Sequence, residues 1–224
     1  MNTLLDPFRQ IAEIGGPVVI LLIAVSVVTL AVMLYKIWQF SAAGVGRHTA
    51  LKEAVAAWDH GDREGARAAL ARSRSYLAPV VEMAFTSGPA DTQRLEAEAE
   101  TRFARLERGF RLLDSVAQLA PLLGLFGTVL GMIEAFQALQ DAGAQVDPSI
   151  LAGGIWVALL TTAVGLVVAM PTALVLSWFE GRMDAERVTA ERALATILHP
   201  RGPRSHEAGP AEDAAADEAA PQRA

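Results

Sequence analysis

The sequence predicts an all-α membrane protein with three transmembrane helices, two of them extended into a cytoplasmic helical bundle. Three observations predict it. Uncharged stretches run from Pro17 to Tyr35, from Ser115 to Ile133 and from Pro148 to Phe179, each near or beyond the roughly 20 residues a helix needs to cross a bilayer core. Arginine and lysine crowd the stretch from Ser41 to Arg111 and return after Phe179, while the segment 140–149 has only Asp141 and Asp147. Finally, 52% of the 224 residues are hydrophobic although 20% are charged, so apolar and polar residues are segregated in blocks along the chain rather than mixed in one globular core.

In chain order, residues 1–16 are a short mixed segment holding Asp6, Arg9 and Glu13, suited to an interfacial helix. Residues 17–40 form the first span. Its apolar run is longer than a signal h-region and its flank lacks a basic n-region, so it is expected to be retained. Tyr35, Lys36, Trp38 and Phe40 mark its membrane interface by the aromatic-belt rule. Residues 41–112 form a helical domain: Leu51, Val55 and Trp58 share a face, Gly61 breaks, and a second run through Ala66, Ala69 and Leu70 is interrupted by Pro79 before Val80, Met83 and Phe85. Ser87-Gly88-Pro89 is a turn. Asp91 or Thr92 is placed to cap a helix whose apolar positions Leu95, Ala99, Phe103, Leu106, Phe110, Leu113 and Ala117 step by three and four. That spacing approaches a heptad seam and predicts one long helix running unbroken into the second span, 113–139.

A loop at 140–149 leads to the third span, 150–179. Met183, Val188, Leu194 and Ile197 carry its helix onward through 180–199, and Pro200 stops it. The segment 200–224 is Pro, Ala, Gly, Glu and Asp, too polar to bury a core, and reads as a disordered tail. The positive-inside rule puts the N-terminus and the short loop in the periplasm and the arginine-rich domain and C-terminus in the cytoplasm. The net charge of −6 and the lack of a basic stripe give no case for nucleic acid. The absence of cysteine excludes disulfides and thiolate metal sites.

The second and third spans carry more than anchoring information. Ala117, Pro121, Gly124, Thr128, Gly131 and Ala135 recur at steps of three and four, as do Ala158, Thr162, Gly165, Ala169 and Thr172. Each helix therefore has one small-residue stripe with a threonine in it, and such stripes let helices approach closely in lipid. If the two helices run antiparallel, Thr128 and Thr162 fall near the same depth. The commonplace expectation is that each threonine bonds the carbonyl four residues back, Gly124 for Thr128 and Ala158 for Thr162. Pro121 and Pro171 each free a carbonyl, those of Ala117 and Val167, giving a kink and an acceptor. Glu134 sits two turns from the outer end, shallow enough to reach the interface. His48, His60, His199 and His206 have no metal-ligand spacing and are expected to be solvated. No nucleophile set or phosphate loop is present, so no enzyme and no cofactor are expected.

The run Ala120-Pro-Leu-Leu-Gly-Leu-Phe-Gly-Thr-Val-Leu-Gly-Met132, then Ala158-Leu-Leu-Thr-Thr-Ala-Val-Gly-Leu166 and Ala169-Met-Pro171, closely resembles the MotA/TolQ/ExbB proton-channel family, nearest its ExbB/TolQ branch. The resemblance implies an ion pathway lined by Thr128, Thr161, Thr162, Gly124, Gly131, Ala158, Gly165, Pro121 and Pro171. Its members usually carry a glutamate five residues before the threonine matching Thr162; here that position is Val157. The MotA branch also lacks that glutamate, so its loss does not exclude conduction. The resemblance further implies a homopentamer in the bacterial inner membrane and an ExbD/TolR-like single-span partner with a membrane aspartate. Beyond these it implies a periplasmic TonB- or TolA-like protein. A non-conducting scaffold is the competing expectation. A flagellar-type stator fits less well, since that branch has four spans and a larger cytoplasmic domain.

Overall fold

The computed structural model describes residues 6–141 and 148–202. Within the described residues seven helices follow one another: α1 Asp6–Ala42, α2 Thr49–Asp59, α3 Arg63–Ala71, α4 Ala78–Ala84, α5 Thr92–Glu107, α6 Phe110–Asp141 and α7 Pro148–Leu198, with a short 3-10 turn at Pro89–Asp91. Among the described residues there is no strand. Most of the loop expected at 140–149, the tail beyond Gly202 including His206, and residues 1–5 lie outside the described residues.

Three helices are long and apolar enough to cross a membrane: α1 from Gly16, α6, and α7 from Leu151. Their outward faces are apolar throughout, with Ile20, Val27, Leu34, Leu122, Phe126, Val129, Trp156, Leu159, Val167 and Leu174 all at least half exposed. In water such a surface would not persist, whereas lipid covers it without cost. α1 is kinked where Gly16 takes a positive φ of 67° just before Pro17.

The water-facing bundle is built differently. α2, α4 and α5 pack against the distal half of the 51-residue α7, with α3 laid on α2, and the bundle buries Leu51, Trp58, Leu70, Val80, Leu95, Phe103, Met183, Leu194 and Ile197. Trp58 stacks on Phe85 with ring centroids 4.1 Å apart and donates its indole N–H to the Ile197 carbonyl at 3.1 Å. At the boundary with the spans, Phe40, Phe110 and Phe179 from α1, α6 and α7 meet at centroid separations of 5.0 to 6.2 Å, clamping the three helices where they leave the apolar zone.

Four expectations need correction. The seam from Leu95 to Leu113 is buried as its spacing predicts, but the helix bearing it is not continuous: α5 ends at Glu107 and α6 begins at Phe110. Between them Arg108 is extended and Gly109 takes φ 94°. This conformation is easy for glycine and satisfies the requirement for a C-terminal stop. Lys36 supplies the rest. Its Nζ donates to the freed Leu106 carbonyl at 2.8 Å and to Gln39 Oε1 at 2.7 Å, and it lies 5.7 Å from the Phe110 ring centre. Lys36 is thus no interface marker. It is 2% exposed, while Tyr35 and Trp38 do face outward. Asp91 does not cap α5; its Oδ2 accepts the Gly88 N–H at 3.1 Å and closes the turn before it.

The fourth correction is His48, expected in solvent and found buried. Its Nε2 lies 2.7 Å from Glu186 Oε2, and its Nδ1 lies 3.1 Å from Ser75 Oγ. Glu186, also buried, further accepts the Tyr76 hydroxyl at 2.9 Å and the Gly46 N–H at 2.8 Å. Burial pushes the Glu186 carboxyl up, but its bonds from His48, Tyr76 and Gly46 outweigh that and hold it below the usual carboxylate range. The set ties the α1–α2 loop and the α3–α4 loop to α7. On the facing side, Arg187 bridges to Glu107 at 2.6 Å and Glu100 at 3.2 Å on α5.

Candidate ion pathway

The site is built on α6 and α7, which pack antiparallel along a long shared seam. The order of contacts fixes the register. Ala120 faces Gly165, Gly124 faces Thr161, Thr162 and Gly165, Gly131 faces Ala158, and Ala135 faces Gly154. The approach is close because the facing residues are small. A Cβ added at Gly124 would stand 2.9 Å from the Thr161 carbonyl oxygen and from Thr162 Cα, and one at Gly165 would stand 2.6 Å from the Ala120 carbonyl oxygen. In lipid, where apolar side chains gain nothing by leaving the solvent, this backbone-to-backbone packing is what holds the pair.

Both helices stay helical through Pro121 and Pro171. Gly124, Ala158, Thr161 and Gly165 are buried, whereas Gly131, Thr128, Thr162 and Val157 are half-buried and Pro171 is exposed. The small residues expected in the ion pathway therefore divide. Gly124, Gly131, Ala158 and Gly165 serve the seam between α6 and α7 within one chain. Thr161 is a clip on that seam: its hydroxyl lies 2.7 Å from the Ala158 carbonyl on its own helix and 3.1 Å from the Gly124 carbonyl across it.

The other two threonines behave differently. Thr128 donates to the Leu125 carbonyl at 2.6 Å, three residues back rather than the expected four. Thr162 does not bond Ala158; that carbonyl is taken by Thr161. The Thr162 Oγ1 is shielded from solvent and has no hydrogen-bond partner among the described residues. Since Thr162 faces Gly124, it lies about one helical turn, roughly 6 Å along the axis, from the level of Thr128. An unpaired hydroxyl at the middle of an apolar helix is costly, which sets Thr162 apart from Thr128 and Thr161.

α1 covers one flank of the seam. Leu22 packs with Ala120, Val168 and Ala169, and Val18 reaches within 3.1 Å of where a Gly127 Cβ would lie. Gly127 and Gly154 were not singled out from the sequence, although Gly127 completes a Gly124, Gly127, Gly131 spacing with one face in common. Between Pro148 and Phe179 no ionisable residue is present, and Val157 stands one residue from the Ala158 contact with Gly131. Glu134 is exposed on α6.

Fold and site together define a multi-pass helical membrane protein with a glycine-packed helical hairpin that presents threonines at mid-depth. Residues 60–192 match the model of the MotA/TolQ/ExbB proton channel family, and the chain belongs to that family. An ExbB homolog of biopolymer transport from Methanothermobacter thermautotrophicus is 31% identical over 192 residues, covering 83% of this chain and 66% of that protein. The biopolymer transport protein exbB1 of Vibrio cholerae is 48% identical over 63 residues, 28% of each chain. The Tol-Pal system protein TolQ of Haemophilus influenzae is 40% identical over 80 residues, 36% of this chain and 35% of that one. The matches thus span less than two thirds of each of these relatives. They assign the chain to the ExbB/TolQ branch, as a multi-pass inner-membrane protein whose ExbB relatives are named for biopolymer transport.

Proposed function

We propose that this chain is the ring-forming subunit of a proton-driven inner-membrane motor, coupling ion flow to work on a periplasmic partner. The observation that carries this reading is the shielded, unpartnered Thr162 hydroxyl, about one helical turn from the level of Thr128, in a stretch from Pro148 to Phe179 that has no carboxylate of its own. A hydroxyl both donates and accepts, so it can stabilise either protonation state of a carboxyl group brought to it. With Val157 in place of the family's glutamate, that carboxyl must come from another chain. An ExbD/TolR-like single-span protein with a membrane aspartate, enclosed by five copies of this chain, supplies it in this reading. The membrane potential then biases its protonation, by about 2.3 kcal/mol per charge for each 100 mV. The ring and its core would alternate between two packings as the charge changes.

The distribution of arginine supports an N-terminus in the periplasm and a C-terminus in the cytoplasm. Under this orientation the bundle of α2 to α5 is cytoplasmic, and the periplasmic partner is of TonB or TolA type. Val157 favours one second reading, a scaffold that assembles the single-span protein without conducting.

The test is ion uptake into liposomes under an imposed potential and pH gradient, with the chain reconstituted alone, with its co-purified partner, and with a partner whose membrane aspartate is replaced by asparagine. Flux that needs the partner and its aspartate supports the motor. An intact complex with no flux supports the scaffold.

A further inference from the structure

At the far end of the bundle from the spans, α2 and about the last three turns of α7 leave an open groove of about 650 Å³ between them. Its apolar lining includes the buried Leu51 and Ala193, the half-buried Val55 and the exposed Ala56 and Val188. Lys52, His60, Arg192, His199 and Arg201 line its rim, all exposed. The one acidic lining residue, Asp59, is already engaged, accepting the Arg201 N–H at its Oδ1 at 2.8 Å. Three permanent cations and two imidazoles around an apolar lining fit a segment that is acidic and carries small apolar side chains.

The chain itself provides such a segment. Residues 203–224 hold Glu207, Glu212, Asp213, Asp217 and Glu218 against Arg204 and Arg223, and the acids are interleaved with alanines from Ala211 to Ala220. This stretch is tethered at the groove, because Arg201 is part of the lining and Gly202 turns the chain with φ 82° directly after it. The 11 residues from Arg201 to Glu212 reach at most about 40 Å when extended, so these acids are held at high effective concentration beside the basic rim. We propose that the acidic segment Glu207–Ala220 docks in cis in the α2–α7 groove of its own copy, its carboxylates on Lys52, Arg192 and Arg201 and its alanines on Val55 and Val188. An acidic segment of another protein would have to displace it to bind there.

The sequence has no cysteine, so engineered pairs report proximity without background. In the full-length protein in lipid nanodiscs, Ala56→Cys with Ala214→Cys should form an intrachain disulfide at least about tenfold faster than Gln93→Cys with Ala214→Cys, where the exposed Gln93 lies on α5 away from the groove. Replacing Glu212, Asp213, Asp217 and Glu218 by their amides should remove most of that advantage. So should 1 M KCl, which shortens the screening length to about 3 Å. Equal rates for the two pairs, indifference to the amide substitutions, or cross-links that join only different copies would overturn the proposal.

Discussion

The two halves of this molecule are held together by opposite means. The membrane hairpin of α6 and α7 excludes large side chains from its seam and brings Gly124, Gly131, Ala158 and Gly165 into near backbone contact, with Thr161 as its clip. The water-facing bundle buries Trp58, Phe85, Phe103 and Phe179 and tethers its loops to one carboxylate, Glu186. The difference follows from the solvent. Water drives large apolar groups inward at about 25 cal/mol for each Å² buried. Lipid does not, so only close packing and hydrogen bonds distinguish inside from outside there. A single hydroxyl left unpaired in the seam's neighbourhood is therefore a larger departure in the membrane half than it would be in the bundle.

The comparison can be broken most forcefully at Glu186. Replacing it by leucine leaves the buried His48, the half-buried Tyr76 and the Gly46 N–H without their acceptor, and should cost roughly 3–5 kcal/mol, read as a large fall in the thermal unfolding midpoint in detergent. Next comes the seam. Gly165→Ala places a methyl against the Ala120 carbonyl, an overpacking that should cost about 1–3 kcal/mol. A Gly181→Ala control, inside α7 with open space around it, should raise the midpoint slightly, since alanine is favoured over glycine in a helix by about 1 kcal/mol.

Acid gives a third, intermediate effect. The Glu186 carboxyl is held below its ordinary value, so its contribution is complete above the unfolded pKa of about 4.3 and is lost as pH falls through the lower folded value. Stability should therefore decline on acidification below about pH 4.3, and Glu186→Gln should flatten that part of the profile. A profile identical in the two proteins would show that the carboxylate is not the group being titrated.

The smallest expected change in stability separates neighbouring threonines. Thr161→Val removes the clip and should cost about 1 kcal/mol, whereas Thr162→Val replaces an unpaired hydroxyl by a methyl and should be neutral or slightly stabilising. Equal losses in the two variants would mean that Thr162 has a structural bond within the chain.

The spans and the small-residue stripes were legible in the sequence because both are written as local periodicity: charge-free runs for the spans, and steps of three and four for Gly124, Thr128 and Gly131. The buried seam of Leu95 to Leu113 was legible for the same reason. The break beneath it was not. Gly109 sits between two seam positions, and its stop depends on Lys36, which lies on another helix 70 residues before the Leu106 carbonyl it bonds. A lone lysine closing a long apolar run was the available signal. His48 and Glu186 are 138 residues apart, and nothing local in either marks a buried partner. The division of labour between Thr161 and Thr162 was also hidden. Adjacent threonines look alike until the facing helix decides which one finds a carbonyl.

The most direct test of the central claim is ion flux through the complex with the proposed single-span partner, comparing Thr162→Val with Thr161→Val after unfolding has shown both to be folded. The account predicts that Thr162→Val keeps its stability and loses at least about tenfold in flux, more than the less stable Thr161→Val does. Undiminished flux in Thr162→Val would contradict it, and would leave the unpartnered hydroxyl without a part in conduction.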